Sequence, residues 1–146
     1  MLVIDASATA DLVLARPVAD SVAAHIAGHE ADLHAPHLID IEVVSAIRRL
    51  AACGEASSTR AVEAITDLLD LPLIRYPHEM LVPRIWELRD NFSSRDAAYL
   101  ALAESLTDEG VPLLTTDVRL ARATRADARH RCERDGGPRA RPSGRG

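Results

Sequence analysis

The sequence predicts an α/β domain in which helices cover both faces of a parallel sheet. Three observations point there. Short β-branched or aliphatic runs alternate with helical stretches along the chain, the pattern of a parallel sheet wrapped by helices. Of the 146 residues 47% are hydrophobic but only 3% aromatic, so Ala, Leu and Val must build a core of closely packed helices on a small sheet. The length suits one domain with one core.

Leu2–Asp5 reads as the first strand, with β-branched Val3 and Ile4. Ser7 is placed to cap a helix running to about Ala15, before Arg16-Pro17 turns the chain. Val18, Val22 and Ile26 recur every four residues in a second helix that Gly28 stops. A short strand over 32–35 leads to Pro36. Leu38–Cys53 is strongly helical and ends on Gly54, a good C-terminal signal. Ser57 and Ser58 open a helix over 57–71, "LPLIRYP" (71–77) is a strand candidate, and Glu79–Asp90 reads as a helix. After "NFSS", Arg95–Thr107 is helical, Gly110 breaks it, and "VPLLTTD" (111–117) is a strong strand. One or two helical turns follow to Ala123.

Beyond that point the composition changes. Residues 124–146 contain no Val, Ile, Leu, Phe, Trp, Tyr or Met, and end "RDGGPRARPSGRG". Such a segment has little to offset the entropy of ordering, and reads as a disordered tail after a domain spanning 1–123. Charge divides in the same place. Residues 1–118 carry 19 acids against 8 arginines, a net −11; residues 119–146 carry 9 arginines against 3 acids, a net +6. All the basic residues are Arg; there is no Lys.

Several function classes fall away. No run of apolar residues is long enough to span a bilayer. Positions 1–15 hold Asp5 and Asp11 and no basic start, unlike a signal peptide, and Cys53 and Cys132 make no disulfide framework; a cytoplasmic protein is expected. "HIAGHEADLHAPH" packs four histidines into positions 25–37, but Gly28, Pro36 and a strand interrupt them, against the converging geometry zinc needs. The Arg-rich tail could attract RNA phosphates, yet has no aromatic side chains on which bases could stack; a passive tail is the better reading, and an altered reading frame would also account for it.

What remains is a set of acids. Asp5 ends the first strand and Asp117 the last, with Thr115 on the same side as Asp117. In parallel α/β sheets ligands gather outside such strand ends. Two acids about 4 Å apart there repel by roughly 4 kcal/mol at an effective dielectric near 20. Glu42 lies among Ile41, Val43 and Val44, and Asp96 opens a helix otherwise almost wholly apolar. Taken singly, each has an ordinary explanation: Asp96 complements a helix dipole with Ser94 as cap, Glu42 edges the core, and Asp117 caps the last helix. Taken together, the four can converge at one sheet edge. A cluster of hard oxygen donors calls for Mg²⁺ or Mn²⁺, with Ser7 and Thr115 as supports, and such ions hydrolyse phosphodiesters. Phosphotransfer through Asp5 would want a Lys, which is absent, and in one class a second Asp where Ser7 stands; no glycine-rich phosphate loop occurs either.

The segments "VIDASA" (3–8), "APHLIDIEVVSAIRRL" (35–50), "NFSSRDAAYLALAE" (91–104) and "PLLTTDVRLARA" (112–123), in that order, resemble the PIN domain, and more narrowly the VapC-type ribonuclease toxins of bacterial toxin–antitoxin modules. The resemblance covers roughly residues 1–123. It implies a three-layer α/β/α sandwich, and a metal-binding catalytic set of Asp5, Glu42, Asp96 and Asp117 supported by Ser7 and Thr115. It also implies Mg²⁺- or Mn²⁺-dependent cleavage of structured RNA of the tRNA or rRNA class, a homodimer, and a small cognate antitoxin as inhibitor. Two features depart from it. Arg95 stands where relatives often have an aromatic residue. The apolar strand that usually follows "RLARA" is missing, so the sheet is expected to end early. A PIN-fold protein weakened in catalysis, and serving mainly to bind antitoxin or RNA, is the alternative this departure raises.

Overall fold

Leu2–Ile4 form β1, and all three residues are buried as the unbroken apolar run requires of a central parallel strand. The computed structural model describes residues 1–28 and 32–135. Around β1 it places β2 (Leu33–Pro36), β3 (Leu73–Tyr76) and β4 (Leu113–Leu114) in one parallel sheet of order β3-β2-β1-β4. The helices are α1 (Ala6–Val13), α2 (Ala19–Gly28), α3 (Leu38–Ala52), α4 (Ser58–Asp70), α5 (Val82–Glu87), α6 (Ser94–Ser105) and α7 (Val118–Asp135). One group is built on α1, which packs against α2, α3 and α4; in the other, α6 lies across β1, β2 and β4 with α5 beside it. This is the three-layer α/β/α sandwich that the resemblance implies.

Alanine explains how so few aromatics suffice. Ala8, Ala35, Ala64 and Ala97 are completely buried, which lets helices approach the sheet closely. Every residue of α6 from Ala97 to Ala103 is buried, because this helix lies between the sheet and a second apolar cluster. Leu88, Phe92, Leu100 and Leu120 form that cluster and anchor the start of α7. Among the described residues no helix is long and apolar enough to cross a membrane.

The structure departs from the sequence reading in five places. Asp5, not Ser7, caps α1, accepting the Ala8 N–H at 2.9 Å; Ser7 lies inside the first turn. Ser93, not Ser94, caps α6. Residues 79–90 do not make one helix: a 3₁₀ turn (Glu79–Leu81) precedes α5, because Pro83 lacks an N–H and fits only a first turn. Only Leu113 and Leu114 of "VPLLTTD" are strand, since Thr115–Asp117 turn away to bond with the end of β1. Finally, α7 continues past Ala123 to Asp135. From Val118 to Asp135 the chain has no Gly or Pro and is rich in Ala and Arg, good helix formers whose local hydrogen bonds need no apolar partner. Residues 136–146 lie outside the described residues, as does His29 of the histidine-rich stretch. Among the described residues no strand follows β4.

Candidate active site

Strand order places the crevice. From β1 the sheet extends to β2 on one side and to β4 on the other, so the carboxyl ends of β1 and β4 flank the switch point where ligands of such sheets bind. Val3 pairs with Leu113 and Ile4 with Leu114, which puts Asp5 and Thr115 next in register. Their side chains meet: Thr115 Oγ1 donates to Asp5 Oδ2 at 2.6 Å. Ser7 Oγ donates to Asp5 Oδ1 at 2.8 Å and accepts the N–H groups of Thr116 and Asp117 at 3.1 and 3.2 Å. Two hydroxyls thus tie the end of β1 to the loop after β4.

Asp5 is 5% exposed, and burial pushes its carboxyl above the ordinary range. The Ala8 N–H and the Thr115 and Ser7 hydroxyls offset part of this, while the charge of Asp117 adds to it. Three donors hold Asp5, and the Ser7 hydroxyl reaches both of its oxygens, at 2.8 and 3.0 Å. Asp117 caps α7, its Oδ1 accepting the N–H groups of Arg119 at 2.8 Å and Leu120 at 3.3 Å. Its other oxygen lies 3.5 Å from Arg119 Nη2, which also stands 3.8 Å from Asp96 Oδ2. One guanidinium therefore bridges two of the four acids.

Glu42 comes from the other side, on the first turns of α3. Tyr99 donates its hydroxyl to Glu42 Oε2 at 2.7 Å, and Arg95 Nη1 lies 3.3 Å from Oε1. Burial raises the Glu42 carboxyl; Tyr99 and Arg95 lower it, and the fields of Asp5 and Asp96 raise it further. Burial also raises the Tyr99 hydroxyl, reinforced by Glu42, so it stays a hydrogen-bond donor. The four acids feel one another electrostatically, but they do not form one tight cage. Among the described residues no three acidic, histidine or cysteine side chains stand at the spacing of a shared metal ion. Their donor chemistry still fits magnesium, which keeps several waters and needs only one or two carboxylates. Arg95 and Arg119 are 73% and 80% exposed and hold the acids loosely.

Comparison with known proteins decides what this arrangement belongs to. No family model matches the chain. Ribonuclease VapC12 of Mycobacterium tuberculosis is 38% identical over 123 residues, 84% of this chain and 92% of that protein. Ribonuclease VapC9 of the same organism is 40% identical over 121 residues, 83% and 89% of the two chains, and Ribonuclease VapC1 is 42% identical over 122 residues, again 83% and 89%. The chain belongs to the VapC ribonuclease family.

Within this VapC-family site, sequence reading misses the second layer. Tyr99 holds Glu42, and Arg119 bridges Asp96 and Asp117. A signal for Tyr99 exists: it falls three residues after Asp96, one helical turn along the same face, and is the only polar group in the buried run of α6. Arg119 carries none, being one of many arginines near the chain end. Tyr99→Phe keeps the ring's packing but strips Glu42 of its donor. By analogy with groups that orient metal ligands, RNA cleavage should fall about 10- to 100-fold with little change in melting temperature. A cleavage time course beside a thermal melt checks this, and unchanged cleavage would remove Tyr99 from the site.

Proposed function

We propose that this chain is an Mg²⁺- or Mn²⁺-dependent endoribonuclease toxin in which Asp5, Glu42, Asp96 and Asp117 hold the ion. Its substrate is structured RNA of the tRNA or rRNA class, met in the cytoplasm. Its working form is a homodimer, and a small cognate antitoxin inhibits it. The observation that carries the metal reading is the buried Asp5, held in place by three donors and facing the charge of Asp117 with no cation of its own among the described residues. Among the described residues two arginines pair with these acids, both largely exposed. Asp5, Glu42, Asp96 and Asp117 would hold the divalent ion, which would stabilise charge on the phosphoryl oxygens and lower the pKa of a water so that its hydroxide form is the nucleophile.

The chain's own residues do the positioning. Ser7 and Thr115 fix Asp5 by two hydroxyl bonds, and Tyr99 fixes Glu42. Arg95 and Arg119 can leave their loose carboxylate contacts to meet phosphate, to which guanidinium offers a two-pronged fit. The test uses purified full-length protein on total RNA. Cleavage should require Mg²⁺ or Mn²⁺, stop in excess chelator and return on adding the ion back. Cleavage that persists in chelator refutes the metal mechanism. Expression without an antitoxin should arrest growth; binding without cleavage or arrest would favour the reading in which the altered C-terminus leaves only a binding protein.

A further inference from the structure

Asp11, in the last turn of α1, stands outside the four-acid set. A carboxylate is disfavoured there, because the C-terminal end of a helix carries partial negative charge. What it touches explains its place. Asp11 Oδ2 accepts the Thr116 hydroxyl at 2.7 Å, and Thr116 is the residue before Asp117. Asp11 Oδ1 lies 3.2 Å from Arg16 Nε, so each oxygen has a partner. Arg16 reaches it because α1 closes on a tight turn in which Ala15 takes φ +51°. The Arg16 N–H bonds back to the Asp11 carbonyl at 2.9 Å, and the Ala15 N–H to that of Leu12 at 3.1 Å.

α1 therefore grips the loop after β4 at consecutive residues. Asp5, its cap, takes the Thr115 hydroxyl, and Ser7 takes the N–H groups of Thr116 and Asp117. Asp11 takes the Thr116 hydroxyl about 9 Å further along the helix axis. A loop held at one end of a helix can pivot, and β4 adds only two residues of strand to steady it. A second grip at the far end of α1 removes the pivot. We infer that Asp11 is a positioning residue of the nuclease: through Thr116 it fixes the direction in which the loop carries Asp117 toward Asp5. The inference rests on the metal-dependent reading above and adds to it a residue that touches neither ion nor RNA. The ordinary role for Asp11 and Arg16 would be a surface ion pair, which contributes little. Against that role, the Asp11 side chain is only 19% exposed, and its shorter bond goes to Thr116.

Two measurements on the full chain read the tie and its consequence separately. Hydrogen exchange followed by NMR in the metal-free protein reports opening at the Thr116 and Asp117 amides. Melting temperature against Mg²⁺ concentration, without RNA, gives the half-saturating concentration of the ion. Asp11→Ala and Thr116→Val should each speed exchange at Thr116 and Asp117 while the Val3 amide in β1 stays protected. Each should raise the half-saturating Mg²⁺ by about 10-fold, the lower end of the range for groups that orient metal ligands. The double variant should do no more than either single, since both remove the same bond. Thr116→Ser, which restores the hydroxyl, should recover most of the loss. Arg16→Ala, which removes only the ion pair, should move the half-saturating concentration by less than about twofold. A general loss of stability lowers every melting curve but leaves that concentration in place. Unchanged exchange at Thr116 and Asp117 in both single variants overturns the inference, and so does faster exchange with an unchanged Mg²⁺ response. An Arg16→Ala effect as large as that of Asp11→Ala returns Asp11 to the surface pair and overturns it too. A wild type that melts at the same temperature with and without Mg²⁺ refutes the metal reading; the exchange rates then decide alone whether Asp11 fixes the loop.

Discussion

Asp5→Asn is expected to cut RNA cleavage by about 10²- to 10³-fold while raising the melting temperature of the metal-free protein. The loss follows from removing the most firmly positioned charge of the site, at the scale seen when one preorganised electrostatic group is deleted. The gain follows from burial. Asn keeps an oxygen for the Ala8 N–H and the Ser7 hydroxyl and remains a good helix cap, and the Thr115 hydroxyl can turn to accept from its amide. What disappears is a buried negative charge facing Asp117. The folded-state carboxyl lies above its ordinary 3.8, so the unfolded chain gives up that proton first. The ionised carboxylate therefore costs stability once pH rises through the raised folded value, and costs nothing below about 3.8, where both states are protonated. Melts of both proteins should accordingly differ at neutral pH and converge in acid. Adding Mg²⁺ should reverse their order, because an ion at about 100 times its Kd stabilises the wild type by roughly 2.7 kcal/mol and the variant by less. A wild type that melts at the same temperature with and without the ion would sink this account.

Leu120→Ala should weaken both the fold and the acid site. Leu120 is 2% exposed and packs with Leu88, Phe92 and Leu100, so its truncation should cost about 2–5 kcal/mol in denaturant unfolding. It also fixes function, because its own N–H bonds to Asp117 and the neighbouring Arg119 bridges Asp117 to Asp96. A helix start that drifts by about 1 Å takes these groups with it, and misplacement of that size can lower a rate by about 10²-fold. Leu120→Met, nearly equal in volume, should cost less than about 1.5 kcal/mol and keep most activity. If Leu120→Ala loses stability but cleaves at the wild-type rate, Asp117 is held by something other than this anchor.

The sheet, and the place of Asp5 at its edge, are legible in the sequence because each rests on a local pattern. Leu2–Ile4 is an uninterrupted aliphatic run, Leu38–Cys53 keeps one helical period, and Asp5 stops a strand. Details governed by a single hydrogen bond are not. Whether Asp5 or Ser7 caps α1 depends on where the first turn begins, and Ser93 and Ser94 are equally good caps until the backbone chooses. The brevity of β4 is set by distant partners, since Thr115 and Asp117 leave the strand to meet Asp5 and Ser7. The course of α7 reverses a judgement based on apolar content alone: Ala and Arg need no core to stay helical. The arginine bridge across Asp96 and Asp117 joins α6 to α7 across β4, and no periodicity encodes it.

The two-residue length of β4 has a consequence for heat. Asp5 directly follows a fully buried central strand, whereas Asp117 follows an edge strand of two residues and is held by hydroxyl contacts and one leucine anchor. Local opening is governed by such differences in packing, and the weakly held element opens first. Warming should therefore silence the enzyme before it melts: the temperature of half-inactivation falls below the calorimetric midpoint. Over that interval the loss is reversible, and amide exchange quickens at Leu114–Leu120 while β1 stays protected.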